Sequence, residues 1–135
     1  MTINCTKDYS KVKGSTELHN KLKKEFMIMV SRTFDDAFAI TYDVGFFRAW
    51  SNPEIPVRCG VVGVPDIIVF VQTEYVLFDA KTGKAVFSTE QKSFAKTIKE
   101  IAGEHRVYKL TTINRGLEII ETIRQGIREG IRNGN

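Results

Sequence analysis

Asp66, Asp79 and Lys81 are the residues of this sequence best placed to do chemistry together. Asp66 opens the apolar run Ile67 to Val71, and Asp79 and Lys81 close the run that begins at Tyr75. Thr73-Glu74 is a short polar turn between these β-branched and aromatic runs, so the spacing predicts a β-hairpin. Facing residues of an antiparallel pair have a constant sum of sequence numbers. A turn centred near Thr73 therefore sets Asp66 opposite Asp79 or Ala80. Side chains alternate faces along a strand, so Asp79 and Lys81 share one face. All three residues should converge at one end of the hairpin. Two carboxylates held close repel each other and raise a pKa. Mg²⁺ or Mn²⁺ would relieve this, because such cations prefer hard oxygen ligands. A bound cation activates water as a Lewis acid and offsets phosphoryl charge. Lys81 would orient or activate the attacking water, or stabilise charge on the scissile phosphate. Two acids, a lysine and a cation suffice for phosphodiester hydrolysis. The plainer alternative makes Asp66 a turn residue after Pro65, with Asp79 and Lys81 on the surface of an edge strand.

The surrounding pattern predicts the elements that hold these residues. Thr2 to Lys13 is polar and basic and reads as an arm. A helix follows from about Ser15, capped by Ser15 or Thr16, with Leu18, Leu22, Phe26 and Met29 at helical spacing. Ala37 to Arg48 favours strand, and the prolines within Ser51 to Pro56 demand a loop. Ser88 and Gln91 fit a capping box for a helix ending at Gly103, with Phe94, Ala95, Ile98 and Ile101 as its apolar stripe. Arg106 to Leu110 is a short strand. A last helix from Asn114 or Arg115 aligns Leu117, Ile120, Ile123, Ile127 and Ile131. The expected order is helix, strand, hairpin, helix, strand, helix. That order gives an α/β fold with a central mixed sheet flanked by helices, in one domain spanning residues 1–135.

Gly63-Val64-Pro65-Asp66, a hydrophobic strand, and Phe78-Asp79-Ala80-Lys81 resemble the signature of PD-(D/E)xK nucleases. Val44-Gly45-Phe46-Phe47-Arg48 and the segment Arg58 to Asp66 look like the approach to the first acid in VRR-Nuc domains. Lys81-Thr82-Gly83-Lys84 and Ser88-Thr89-Glu90-Gln91 are similar to the lysine, turn and helix start of those domains. Lys13-Gly14-Ser15-Thr16-Glu17 resembles the opening of archaeal Holliday junction resolvases. The likeness covers roughly residues 14 to 124. It implies a restriction-endonuclease-like core and a metal held by Asp66, Asp79 and the backbone carbonyl of Ala80. Glu17 would complete the metal site, with Glu25 of the same helix as its competitor. Gln91 would be either an active-site neighbour or only a helix cap. The second acid is aspartate where the family more often has glutamate.

Net charge bounds the partners less than its distribution does. The chain carries +4, with lysines crowded toward the N-terminus. Lys11, Lys13, Lys21, Lys84, Arg48 and Arg58 are the expected DNA-binding residues, since clustered cations neutralise phosphates. Two distant cysteines, Cys5 and Cys59, make no CxxC or Cys/His cluster, which argues against zinc and for a reducing cytosol. The longest apolar run is too short to span a membrane. His19 and His105 stand apart and read as surface residues. Phe46, Phe47 and Trp50 would stack on DNA or pack in a core or dimer interface. The expected protein is a cytoplasmic, metal-dependent homodimeric endonuclease acting on DNA, branched DNA foremost, with a phage or mobile element as its expected context. A sequence-specific homing or restriction-type enzyme, a DNA-binding module that no longer cuts, and a structural protein with incidental acids are the alternatives.

Overall fold

The structure is a computed structural model and describes residues 5–7, 14–41, 45–49, 56–59 and 63–132. In chain order the elements are β1 (Cys5–Lys7), α1 (Gly14–Thr33), β2 (Ala37–Thr41), β3 (Gly45–Ala49), β4 (Pro56–Cys59), β5 (Ile67–Val71), β6 (Glu74–Ala80), α2 (Thr89–Ala102), β7 (Val107–Leu110) and α3 (Ile113–Arg132). The fold is α/β, as the sequence predicts. Its main sheet has strand order β2-β5-β6-β7, mixed because β6 pairs antiparallel with β5 and parallel with β7.

Two expectations change. The strand expected over Ala37 to Arg48 is two strands in different sheets, β2 beside β5 and β3 between β1 and β4. Part of the expected basic arm, Cys5–Lys7, is a strand paired with β3. In both cases the strand's partner is distant in sequence, and local alternation cannot identify it.

The core lies between one face of the main sheet and helices α1 and α3. Ile67, Val69 and Val71 of β5 and Val76, Phe78 and Ala80 of β6 alternate onto that face and are fully buried. Phe26, Val30 and Phe34 of α1 and Ile119 and Ile120 of α3 close over them. Phe26 meets Phe78 edge to face at 5.1 Å between ring centroids, a favoured aromatic arrangement. Thr112 Oγ1 caps α3 by accepting from Arg115 N at 3.2 Å.

Gly116 lets α3 approach α1 closely. A methyl group at this position would sit 2.7 Å from Leu110 Cδ1 and would also overlap the Phe26 ring, which is fully buried and has little freedom to yield. Gly116→Ala should therefore destabilise the protein by about 1–3 kcal/mol, the usual cost of overpacking a core. A urea-unfolding midpoint measures it, and an unchanged midpoint would show that the two helices have slack at this crossing.

Candidate active site

The β5–β6 hairpin determines the geometry of the site. Ile67 faces Phe78 and Val71 faces Glu74, so the facing numbers sum to 145 and Asp66 falls opposite Asp79. Gln72 and Thr73 form the two-residue turn. Gln72 has φ 56, a sign that hairpin turns require and that usually selects glycine. Asp36 holds it there: Gln72 N donates to Asp36 O at 3.1 Å, and Gln72 Nε2 to Asp36 Oδ2 at 2.8 Å. Arg124 of α3 pairs with the same carboxylate at 2.8 Å. The hairpin tip is thereby pinned to the turn that follows α1 and, through Arg124, to α3.

At that end Asp79 is 3% exposed and is the buried charged side chain among the described residues. Its strand neighbours Phe78 and Ala80 face α1 and α3, so Asp79 projects from the opposite face of the sheet. Lys81 Nζ lies 3.0 Å from Asp79 Oδ2, and Gln91 Nε2 donates to the same oxygen at 2.9 Å. Lys81 Nζ also donates to Gln91 Oε1 at 2.9 Å. Asp66 Oδ2 accepts from Ala80 N at 3.3 Å. In a strand the N–H and C=O of one residue point to the same side, so the Ala80 carbonyl is directed toward Asp66 as well. Burial and the negative charge of Asp79 raise the Asp66 carboxyl above its ordinary range, while Lys23 and His19 pull the other way.

Gln91 is a helix cap whose side chain also reaches Lys81 and Asp79. Its side-chain oxygen accepts from Ser88 N at 2.9 Å and its backbone N–H donates to Ser88 Oγ at 3.2 Å, a complete capping box. The same side chain bridges Lys81 and Asp79. Gly63 fits the loop before Asp66 against this helix start, with φ 88 and a position where any side chain would strike the Glu90 carbonyl.

α1 brings His19, not Glu17, to the acids. His19 Nε2 lies 3.0 Å from Asp66 Oδ2. Glu17 is exposed, and nine residues at 100° each place it half a turn from buried Phe26. The sequence did hold a signal for His19: it precedes Phe26 by two helical turns and lies on the inward face with Leu22 and Val30. Glu25 pairs with Lys21 at 3.8 Å on the solvent side. Lys84 is exposed in the turn after β6. Lys11 and Lys13, and the side chains of Arg48, Arg58, Phe46, Phe47 and Trp50, lie outside the described residues.

Among the described residues no three His, Cys, Asp or Glu side chains gather as a metal-binding group. The oxygens available are the two carboxylates and the Ala80 carbonyl. These are hard donors of the kind Mg²⁺ takes, and Mg²⁺ normally keeps several waters besides its protein ligands. The donor set therefore fits a hard divalent cation that is partly hydrated. No described helix is long and apolar enough to cross a membrane. No protein-family model matches the chain, and no curated protein is significantly similar to it.

Proposed function

We propose that this protein is a metal-dependent DNA endonuclease with a restriction-endonuclease-like core, acting as a homodimer on branched DNA in the manner of a Holliday junction resolvase. One observation carries the reading: the hairpin register opposes Asp66 to Asp79 and leaves Lys81 hydrogen-bonded beside them at a single end of the sheet. Asp66, Asp79 and the Ala80 carbonyl would hold Mg²⁺ or Mn²⁺. Bound there, the cation would supply Lewis-acid activation of water and offset phosphoryl charge. Lys81 supplies a cation beside the acids, able to orient water or to stabilise charge on the phosphate. Gln91 acts through Lys81 and Asp79 and is a positioning residue. His19 orients the Asp66 carboxylate from the side of α1. The likeness to PD-(D/E)xK nucleases in residues 63–91 supports the same roles. A domain this small has little surface for wrapping a duplex, and two copies would present two sites to two strands.

The test is cleavage of a four-way junction, a linear duplex and a plasmid with Mg²⁺, Mn²⁺ or chelator. Symmetric cutting of the junction is expected, dependent on metal and abolished by Asp66→Asn and Asp79→Asn in folded protein. A unique cut in linear duplex would replace the resolvase with a sequence-specific enzyme. Persistent cleavage in both variants would remove the site. Binding of DNA without cleavage by any metal-loaded sample would leave a binding module in place of a nuclease.

A further inference from the structure

α2 carries a lysine stripe that begins beside the catalytic cluster. Lys92, Lys96 and Lys99 are all exposed. At 100° per residue they lie within 60° of one another, centred about 110° around the helix from Gln91, with Lys99 the nearest of the three at about 80°. Glu90 lies on the far flank. Glu100 follows Lys96 by four residues, the less favourable order for a helical ion pair, and no such pair forms among the described residues. Like charges at three- and four-residue spacing destabilise a helix. α2 has no buried residue to offset that repulsion. The stripe is therefore a standing cost in the free protein, and a polyanion would relieve it.

We infer that Lys92, Lys96 and Lys99 form a track for the phosphate backbone of a nucleic acid strand leading into the Asp66–Asp79–Lys81 site. The inference rests on the nuclease reading for its direction, because Gln91, one residue before Lys92, holds Lys81 at 2.9 Å. A basic amphipathic helix also suits an anionic membrane surface, but continuity with a phosphodiester site favours nucleic acid. Seven residues of helix rise about 10 Å, at ~1.5 Å each. Phosphates on one strand of a duplex advance about 3.4 Å each along the axis, so three lysines span about three phosphates. This places the substrate strand on α2, in addition to Lys11, Lys13, Lys21, Lys84, Arg48 and Arg58, the cations that the sequence leads one to expect at DNA.

The test measures binding separately from cleavage. Fluorescence anisotropy in chelator, across a range of salt, compares the full-length protein with a variant combining Lys92→Ala, Lys96→Ala and Lys99→Ala. The probes are a 20-nucleotide single strand and the matching duplex. Each lysine lost should flatten the log affinity against log salt slope by about 0.9 on duplex and about 0.7 on single strand. The corresponding Lys→Arg triple variant should restore the slope, and an unchanged thermal midpoint verifies that both variants fold. An unchanged slope in the alanine variant, or binding to phosphatidylserine vesicles with none to either DNA probe, overturns the track. Loss of binding in a protein that never cleaves would keep the track and sink the nuclease. Normal cleavage with an unchanged slope would do the reverse.

Discussion

Lys81→Ala should have the largest effect of any single substitution, because it strikes activity and stability together. Cleavage is expected to fall about 10²–10⁴-fold, the range for losing a positioned acid–base or charge-stabilising group. The same change leaves Asp79 buried without its cation. Removing one partner of a buried ion pair costs about 3–5 kcal/mol, and the Gln91 hydrogen bond that remains puts Asp79 near the lower end. A divalent cation should restore part of the lost stability, since it supplies positive charge at the same carboxylate. Urea midpoints with and without Mg²⁺, read beside cleavage rates, measure both effects. Full activity in the variant would remove Lys81 from the chemistry. Unchanged stability would mean that Asp79 is neutralised by another group.

Asp66→Asn should separate function from stability. Burial and the charge of Asp79 raise the Asp66 carboxyl in the folded state above 3.8, its ordinary value. The folded protein then binds more protons than the unfolded chain between 3.8 and the raised value. The contribution of this one group to stability is therefore greatest in acid, falls as pH rises through that window, and stays lower at neutral pH. In chelator the asparagine variant should therefore be more stable than the parent at neutral pH. The gain should shrink as pH falls through 3.8 and vanish well below it, where Asp66 is protonated in both states. With Mg²⁺ the order reverses: a hundredfold excess over Kd stabilises the parent by about 2.7 kcal/mol and the variant far less. Denaturant midpoints across pH, with and without Mg²⁺, provide the measurement. A variant less stable than the parent at neutral pH in chelator would mean that His19 and Lys23 outweigh burial at this carboxylate.

The site was more legible in the sequence than the architecture around it. A hairpin's register depends only on its turn, so two apolar runs sufficed to bring Asp66 near Asp79. Choosing Asp79 over Ala80 required knowing that Gln72 and Thr73 are the turn, and Gln72 lacks the glycine signal because Asp36 holds its backbone in place. The capping box at Ser88 and the stop at Gly103 were equally local. The pairing of β1 with β3 was not legible, because nothing within one strand names a distant partner. Helix faces were half legible. Phe94, Ala95, Ile98 and Ile101 mark the apolar side of α2, yet α2 has no buried residue and Ile101 is 76% exposed. Amphipathicity tells which side of a helix is apolar, not what covers it. On α1 the nuclease resemblance pointed to the acid Glu17, whereas helical spacing from Phe26 points to His19.

Asp66 and Asp79 each stand six positions from the turn residue nearest them, Gln72 and Thr73. This symmetry imposes a parity rule on changes of chain length. One residue added to a single arm would slide Asp79 out of opposition and exchange its face with that of Phe78, dismantling site and core at once. Equal additions to both arms would lengthen the hairpin and leave the two acids opposed, although the tip would lose its hold on Asp36. The end that carries the acids is thus buffered against balanced growth at the tip, and variants of this hairpin that keep the two acids opposed should differ in length by even numbers.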